Sequence, residues 1–363
     1  MTMKQTKILF LIDSLGSGGA QRQITTIACL LKGRGYDVSF LCYHHDDFFK
    51  PILDRNNIRV NVVEYKNNVE KIFKLWKAVG RSCCDVVISM LSSPNLYALL
   101  TGIGRKHKVI TGLRGMPQLS GGNYSKDARF EWRADYMVSN SQNAVNVWLQ
   151  TYPNHKNKFK VIYNAVSLGK IDSTYELRRD GCTHIVVAAT CYDVKNPRGL
   201  VEALHLMNET DRRRICIEWY GVVSGMAKID REVSDVEKLV KEYGLENTIH
   251  FFPTSPNIAN IMNEADAVAL FSHGEGLPNA ICEAMLIGKP IVMTRVSDFE
   301  TLVDGNGFLC DSKDYMSIKD AILNLANLSD EELRAMGRVS HDKAKQLFSE
   351  ESVANQWVSV IEN

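Results

Sequence analysis

Lys7-Ile-Leu-Phe-Leu-Ile-Asp13 is a continuous apolar run that ends in a glycine-rich turn, Gly16-Ser-Gly18-Gly19. A segment of helical periodicity follows, from about Ala20 to Lys32. A run that is apolar at every position, with a helix behind it, predicts a parallel strand covered on both faces. The same pattern restarts at His184-Ile-Val-Val-Ala-Ala-Thr190, which indicates a second domain of the same class.

Short apolar runs alternate with helical segments from one end of the chain to the other. The predicted strands are 7–13, 37–43, 59–64, 85–90, 108–112, 136–139 and 160–163, then 184–190, 215–221, 248–252, 266–271 and 290–294. We predict an α/β protein with two Rossmann-like domains that face a common cleft, and a helical C-terminus. The predicted boundaries are 1–165 for the N-terminal domain, 166–182 for a linker and 183–347 for the C-terminal domain. Residues 348–363 are predicted to form a final helix.

Charge is divided unevenly along the 363 residues. The 43 basic and 42 acidic side chains give a net charge of +1, which taken alone argues against nucleic-acid binding. Residues 1–180, however, hold 26 basic and 14 acidic side chains, and residues 181–363 hold 17 and 28. Neither half matches the average, and the basic half favours a negatively charged partner, such as an anionic membrane surface or a phosphate-bearing molecule.

Targeting and redox signals are weak. The sequence contains no apolar run of about 18 residues and no signal-peptide pattern, so we expect neither a transmembrane helix nor secretion. The nine cysteines form no Cys-x-x-Cys pair, and the adjacent Cys83 and Cys84 are interpreted as buried filler. The expected location is the cytoplasm, with peripheral attachment at the inner face of the membrane.

The first turn is a poor match to a dinucleotide-binding site. Such a site needs a third glycine where this chain has Gln21, which disfavours an NAD- or FAD-dependent oxidoreductase. Gly18 and Gly19, at a helix N-terminus, still allow backbone N–H groups to approach an anion. The alternative is a tight turn that only needs positive φ.

The most specific motif is Ser272-His-Gly-Glu275-Gly276-Leu277-Pro278-Asn279-Ala280-Ile-Cys-Glu283, which follows a predicted strand. Pro278 suits the first turn of a helix, and Gly288 suits its end. The N-terminus of this helix would seat a diphosphate, while Glu275 and Glu283 would accept hydrogen bonds from sugar hydroxyls. Two unrelated acids on a solvated helix face are the alternative. Lys195, after the strand 184–190, either reaches a phosphate as a point charge or is simply exposed.

With these motifs in place, the chain resembles the retaining glycosyltransferases of family 4, which have the GT-B architecture. The resemblance spans nearly the whole chain and is most specific at Glu275 to Glu283. It extends to Lys195-Asn196, Gly18-Gly19-Ala20, Val161-Ile-Tyr-Asn164 and Asp304-Gly-Asn-Gly307. It implies that Glu283 holds the donor ribose and Glu275 contacts the transferred sugar. Gly276 to Ala280 would line the sugar and diphosphate, Lys195 would hold the diphosphate, and the final helix would pack back on the first domain.

Two positions depart from the family pattern. Thr190 stands where many members have an arginine, and Arg114 stands near a position where many have a histidine. Arg114 is either a contact to the acceptor or a phosphate, or an arginine of a surface loop.

The implied reaction moves a sugar from a nucleotide-diphosphate sugar to an acceptor hydroxyl with retained configuration, by a front-face mechanism. The acceptor would be a saccharide or a lipid-linked molecule of bacterial surface polysaccharide or glycolipid synthesis. No Asp-x-Asp motif occurs, so no essential metal and no cofactor are expected. An epimerase or phosphorylase on the same fold and a non-catalytic sugar-nucleotide-binding partner remain alternatives.

The segment 66–81 allows two interpretations. Val69, Ile72, Phe73, Trp76 and Val79 recur at helical spacing, and Lys71, Lys74 and Lys77 are predicted to lie opposite them. Either this is a surface helix whose apolar face packs on the sheet, or its basic face meets anionic lipid.

Overall fold

The computed structural model describes residues 5–114, 130, 133–151, 153–168, 181–223, 225 and 227–363. The chain divides into two compact units. Unit 1 comprises Met1–Ala165 together with Glu350–Asn363, and unit 2 comprises Val166–Ser349. Most of the predicted linker, residues 169–180, lies outside the described residues.

Unit 1 is built on a parallel sheet with the strand order β3-β2-β1-β4-β5-β6-β7. Its strands are β1 (Lys7–Leu11), β2 (Asp37–Cys42), β3 (Arg59–Val62), β4 (Val86–Met90), β5 (Lys108–Leu113), β6 (Tyr136–Ser139) and β7 (Phe159–Val161). Its helices are α1 (Gly19–Gly33), α2 (Lys50–Arg55), α3 (Asn68–Ser82), α4 (Ser92–Thr101), α5 (Gln142–Thr151) and α14 (Glu350–Glu362). Apolar clusters cover both faces of this sheet, which is why its central strands are continuous apolar runs.

The final helix, α14, packs in the core of unit 1. Trp357 is fully buried in the apolar cluster that contains β1 and α1. At the end of the helix, Lys108 Nζ donates to the carbonyl oxygen of Ile361 at 2.9 Å, and Tyr36 donates its hydroxyl hydrogen to Glu362 at 2.7 Å. A lysine at a helix C-terminus also compensates the partial negative charge of the helix dipole.

Unit 2 repeats the arrangement with the order β10-β9-β8-β11-β12-β13. Its strands are β8 (Thr183–Ala188), β9 (Ile215–Val222), β10 (Ile249–Pro253), β11 (Ala267–Leu270), β12 (Ile291–Thr294) and β13 (Gly307–Cys310). Its helices are α6 (Pro197–His205), α7 (Glu209–Arg212), α8 (Ala227–Glu242), α9 (Ile258–Glu264), α10 (Asn279–Ile287), α11 (Phe299–Leu302), α12 (Tyr315–Ala326) and α13 (Asp330–Phe348). The prediction of two α/β units with a helical C-terminus is confirmed.

Strand β13 was not predicted from the sequence. This edge strand has only four residues, starts with Gly307 and is half-buried over most of its length, so it lacks a strong apolar signal. A Cβ at Gly307 would lie 2.0 Å from the carbonyl oxygen of Ile291, so only glycine permits this approach to β12.

Helix α3 packs with a different face from the one predicted. Leu75, Val79 and Lys71 are its buried residues. Val69, Phe73 and Trp76 are 79%, 60% and 42% exposed, so the expectation that these side chains pack on the sheet is wrong. Lys71 is tolerated inside because its Nζ lies 4.7–5.0 Å from the ring centroids of three tyrosines, Tyr43, Tyr65 and Tyr97.

Two smaller expectations concern cysteines and membranes. All nine cysteines are free thiols, but Cys83 is exposed and Cys84 only half-buried, so the interpretation of this pair as buried filler is wrong. Within the described ranges, no helix combines the length and apolar character needed to cross a bilayer.

Candidate functional site

Lys195 and Glu275 meet at the topological switch point of the unit 2 sheet. Strands β8 and β11 are neighbours in the sheet. From β8 the chain continues outward to β9 and β10 on one side, and from β11 it continues to β12 and β13 on the other. Lys195 follows β8 in a short 3-10 turn, and Glu275 follows β11. The carboxyl ends of such strands are where open α/β sheets bind ligands.

An ion pair joins these two residues. Lys195 Nζ donates to Glu275 Oε1 at 2.5 Å, with only 22% and 12% of the two side chains exposed. Ser272 Oγ donates to the same carboxylate oxygen at 2.6 Å. The carbonyl group of Ser272 in turn accepts from Thr294 Oγ1 at 2.7 Å, at the end of β12. Glu275 is therefore held by two donors from the ends of two neighbouring strands.

The loop that carries Lys195 is fixed by Asn196. This residue has a left-handed backbone (φ 60°), and its side chain accepts from the N–H of Gly199 and so caps helix α6. Its amide nitrogen donates to the carbonyl oxygen of Ser312 at 2.8 Å. Pro197 is the first residue of α6, where its missing N–H costs nothing. Lys195 is thus positioned directly before a capped helix.

The loops of the site also contact one another. The N–H of His273 donates to the carbonyl oxygen of Val194 at 2.8 Å, and its ring Nδ1 lies 3.1 Å from Ser312 Oγ. Behind the β8 loop, Gly221 has φ 149°, and a Cβ there would lie 1.9 Å from the carbonyl oxygen of Ala189. Glycine is therefore required at this position for β9 to pass the end of β8.

Helix α10 begins one residue later than predicted. Pro278 precedes the helix and accepts from the N–H groups of Ile281 and Cys282, instead of lying in the first turn. Asn279 and Ala280 supply the first N–H groups of the helix, and Gly288 ends it with φ 88°, as predicted.

Other residues of the motif differ in exposure. Leu277 and Pro278 are buried, Glu283 is half-buried on α10 and Asn279 is exposed. Gly276 and Ala280 are half-buried.

Gly18 and Gly19 lie in unit 1, at the start of α1. Gly18 has φ −78° and Gly19 is helical, so the explanation that this turn only needs positive φ is wrong. A Cβ at Gly19 would have nothing within 4 Å, and one at Gly18 would meet only the flexible side chain of Gln21. The fold of unit 1 therefore does not by itself require these two glycines.

Arg114 directly follows β5 in unit 1 and is not the surface arginine of the alternative interpretation. Its Nε and Nη1 atoms are buried without a hydrogen-bond partner in the described part of the chain. Burial lowers the pKa of this guanidinium to about 10. Two buried guanidinium N–H groups without an acceptor are unusual, because such donors are normally satisfied.

Ser272 and Thr294 contribute to the site but were not predicted from the sequence. Ser272 stands directly after a buried strand, which is the position that could have identified it.

Thr190, the departure from the family pattern, lies half-buried after β8. Within the residues that the structure describes, no group of three or more His, Cys, Asp or Glu side chains could hold a metal ion.

Comparison with known proteins supports the two-unit organisation. Residues 17–170 match the family model described as Glycosyltransferase Family 4, and residues 176–340 match the model described as Glycosyl transferases group 1. The chain is similar to N-acetyl-alpha-D-glucosaminyl L-malate synthase of Bacillus anthracis, with 24% identity over 79% of this chain and 77% of the relative. It is also similar to a Campylobacter jejuni alpha-1,4-N-acetyl-D-galactosaminyltransferase that acts on GalNAc-alpha-(1->4)-GalNAc-alpha-(1->3)-diNAcBac-PP-undecaprenol, with 24% identity over 77% of this chain and 76% of that protein.

Two solved structures share the fold. A glycosyltransferase from Rickettsia africae ESF-5 has a TM-score of 0.83 at 17% identity, covering 99% of this chain and 98% of that one. Anabaena Alr3699/HepE, solved in complex with UDP, has a TM-score of 0.81 at 19% identity, covering 98% of this chain and all of that one. The adjacent family matches, together with the two parallel-sheet units, show that this chain belongs to the family 4 glycosyltransferases of GT-B architecture.

Proposed function

We propose that this glycosyltransferase moves a sugar from a nucleotide-diphosphate sugar to an acceptor hydroxyl with retained anomeric configuration. The observation that carries the proposal is the ion pair between Lys195 and Glu275 at the switch point of unit 2, in the loops directly before α6 and α10. Structures of Anabaena HepE hold UDP, and one holds UDP-glucose, which supports a nucleotide-sugar donor by analogy of fold.

Each residue of the site has a distinct role in the proposed reaction. Lys195 and the first N–H groups of α10 stabilise the negative charge that develops on the departing diphosphate. Glu283 accepts hydrogen bonds from the ribose hydroxyls of the donor. Glu275 is held at Oε1 by Lys195 and Ser272, and its Oε2 accepts from a hydroxyl of the transferred sugar. Neither glutamate is assigned as a nucleophile, because a carboxylate that is hydrogen-bonded to hydroxyl groups is poorly placed for attack.

Retention then follows from a front-face transfer. The leaving phosphate oxygen takes the proton of the acceptor hydroxyl, the acceptor oxygen bonds to the anomeric carbon, and the bond from that carbon to the diphosphate breaks. The chain contains no Asp-x-Asp motif, and we propose that the transfer needs no metal ion. Equal rates with EDTA and with added Mg²⁺, and a product of unchanged anomeric configuration by NMR, are the expected results.

The central test combines donor binding and transfer. A panel of UDP-, GDP- and ADP-sugars is screened for thermal stabilisation, and the best donor is used to measure transfer by Glu283→Ala and Lys195→Ala. Lys195→Ala removes a charge-stabilising group and is expected to lower kcat by roughly 100-fold or more. Glu283→Ala removes the acceptor of the ribose hydroxyls and is expected to abolish donor-dependent transfer with the fold intact. Glu237→Ala and Lys241→Ala, which change exposed residues of unit 2, are the matched controls and should retain full activity.

The alternatives give different results in the same assay. Donor turnover without acceptor indicates an epimerase, and phosphate-dependent turnover indicates a phosphorylase. Donor binding with no turnover under any condition indicates a non-catalytic binding partner. Full transfer activity in Glu283→Ala would contradict the assigned site.

We further propose that unit 1 attaches peripherally to an anionic membrane surface through helix α3, at the inner face of the membrane. Phe73 and Trp76 form an exposed stacked pair, with ring centroids 6.4 Å apart. The Arg105 guanidinium lies 4.3 Å from the Trp76 ring centroid, and Lys77 is exposed on the same helix. Apolar side chains beside cations are the composition that binds the boundary between headgroups and acyl chains of anionic lipid.

A saccharide or lipid-linked acceptor fits this placement. The Campylobacter relative acts on an undecaprenol-linked saccharide. We therefore propose a role in bacterial cell-surface polysaccharide or glycolipid synthesis, in the cytoplasm and without a nucleic-acid partner.

A further inference from the structure

A cavity lies between helix α3 and the sheet of unit 1. Its volume is about 460 Å³, and most of its lining comes from β1, β2, β3 and the second half of α3. This volume falls in the range of small-molecule sites, which is about 300–1,000 Å³. The cavity runs along a face of the sheet, whereas the substrate sites of open α/β sheets lie beyond the carboxyl ends of the strands. It is therefore a separate candidate for ligand binding.

The sheet side of this cavity is polar where a covered sheet face is normally apolar. Ser39 is paired with Leu9 on one side and with Arg59 on the other, and Asn61 is paired with Leu41. Paired residues of neighbouring parallel strands point to the same side of the sheet, with the strands about 4.8 Å apart. These polar side chains thus share the face of the apolar cluster that contains Leu9 and Leu41. A parallel sheet normally covers such a face with apolar side chains.

Three cationic side chains line the same cavity from three different elements. Lys7 comes from β1, Arg59 from β3 and Arg81 from the last turn of α3. Their charged groups have no hydrogen bond or ion pair within the described part of the chain. Asp37, the one acidic residue of the described lining, lies beside Lys7 in register but forms no ion pair with it. Three positive charges against one negative charge leave a net charge of +2, which favours an anion in the cavity.

The charged and polar groups together define the chemistry of the ligand. A phosphate monoester carries a charge of about −1.5 to −2 at pH 7, which matches the charge of the lining better than the single charge of a carboxylate. Guanidinium groups donate paired N–H bonds to phosphate oxygens. The Ser39 hydroxyl and the Asn61 amide can both donate and accept, which suits hydroxyl groups. Arg59 and Arg81 are exposed, so a dissolved molecule can reach them.

We propose that this cavity binds a small hydroxylated molecule that carries a phosphate group, such as a sugar phosphate. Arg59 holds the phosphate from the sheet and Arg81 holds it from the helix, while Ser39 and Asn61 contact hydroxyl groups. The described lining lies wholly in unit 1 and contains none of the residues assigned to sugar transfer. The inference therefore does not depend on the proposed function.

The test is direct binding to the full chain by isothermal titration calorimetry. D-glucose 6-phosphate, inorganic phosphate and D-glucose are titrated separately. We expect saturable binding of D-glucose 6-phosphate, binding of inorganic phosphate that is weaker by about tenfold because the hydroxyl contacts are lost, and no binding of D-glucose.

Variants of single side chains locate the bound probe. Arg59→Gln and Arg81→Gln should each weaken the binding of D-glucose 6-phosphate by about tenfold, because each removes a charged donor. Arg55→Gln is the matched control, since Arg55 is exposed on α2, which packs on the opposite face of the sheet, and it should change nothing. Lys195→Ala removes the cation proposed to hold the donor diphosphate, and it should also leave this binding unchanged.

Several outcomes would overturn the proposal. They are the absence of saturable binding, equally tight binding of D-glucose or of inorganic phosphate, and unchanged binding in Arg59→Gln and Arg81→Gln. Loss of binding in Lys195→Ala would place the probe in unit 2 and would overturn it as well. No sugar transfer is measured in these titrations, so a failure of the proposed function is distinguishable from a failure of this site.

Discussion

At the scale of single residues, Lys289 shows how a buried cation adapts to its surroundings. Its Nζ donates to the carbonyl oxygens of Asn263 and Ala265 at 2.5 and 2.9 Å, and only 1% of the residue is exposed. Burial lowers its pKa to about 7, with Arg334 acting in the same direction and Asp266 against it. The neutral amine can still donate to both carbonyl groups, so Lys289 connects α9 to the start of β12 without a charge.

This lowered pKa predicts a pH-dependent stability. In the unfolded chain Lys289 keeps its proton up to about pH 10.4, whereas the folded chain releases it near pH 7. The unfolded state therefore binds more protons between these values, and the free energy of unfolding rises with pH in that window by up to about 1.4 kcal/mol per unit. Below pH 7 Lys289 is protonated in both states, and the buried charge lowers the free energy of unfolding by its full amount.

Chemical unfolding of the native chain and of Lys289→Met at pH 7.0 and 8.5 measures this effect. The native chain should gain about 1–2 kcal/mol relative to the variant over this interval. The nine cysteine thiols, which titrate at about pH 8.5 in the unfolded chain, are the same in both proteins, so their contribution cancels in the difference. A difference between the two proteins that is independent of pH would show that Lys289 does not titrate as described.

The sequence predicted the site residues unevenly. The spacing of Glu275 and Glu283 and the glycine at the end of α10 were sufficient to locate that helix. The contact between Lys195 and Glu275 joins residues 80 positions apart, and the buried, unpartnered Nε and Nη1 atoms of Arg114 depend on which segments cover the end of β5. Neither can be deduced from local patterns, because both arise from the packing of separate segments.

At the scale of elements, α3 shows the limit of periodicity. A helix with apolar residues along one side is normally expected to bury that side. Here Leu75 and Val79 are buried, while Phe73 and Trp76 are directed to solvent. The three tyrosines around Lys71 come from segments outside the helix, so the local sequence could not indicate that a lysine would occupy the inner face.

The exposed face of α3 predicts binding to anionic vesicles. The native chain should co-sediment with phosphatidylglycerol vesicles and much less with phosphatidylcholine vesicles. The double variant Phe73→Ser and Trp76→Ser should lower the partition coefficient by about tenfold or more, because both side chains lose their apolar contact with lipid.

Phe48→Ser is the matched control. Phe48 is 63% exposed in the same unit but lies outside α3, so its loss should leave binding unchanged. Equal sedimentation with both lipids, or no effect of the double variant, would contradict the membrane proposal.

At the scale of the whole molecule, the charge asymmetry follows the structural units. Unit 1 contains 23 basic and 14 acidic residues, and unit 2 contains 20 basic and 28 acidic residues.

The alternation of apolar runs and helices was sufficient to predict two α/β units. The short edge strand β13 was missed because an edge strand needs less apolar surface than a central one.

Because α14 packs in the core of unit 1, a substitution in this helix should destabilise strands that are far from it in the sequence. Trp357→Ala removes a fully buried side chain from the core of unit 1 and should cost about 3–5 kcal/mol. Hydrogen exchange followed by mass spectrometry should show lost protection in β1 and β2, with β8 and β9 unchanged. The exposed Tyr315 of unit 2 provides the control, Tyr315→Ala, which should leave both units protected. Unchanged exchange in β1 would show that α14 is dispensable for unit 1.

The same helix determines the order in which the protein can be completed as it leaves the ribosome. Residues 350–363 emerge after the whole of unit 2, yet they belong to the core of unit 1. Trp357 is buried there, and hydrogen bonds join Tyr36 to Glu362 and Arg34 to Asn355. Unit 2 is contiguous and can fold as soon as it has emerged, whereas unit 1 must wait until residues 350–363 have also been synthesised, with one side of its core uncovered. During that interval the nascent first unit is the part of the chain most in need of a chaperone.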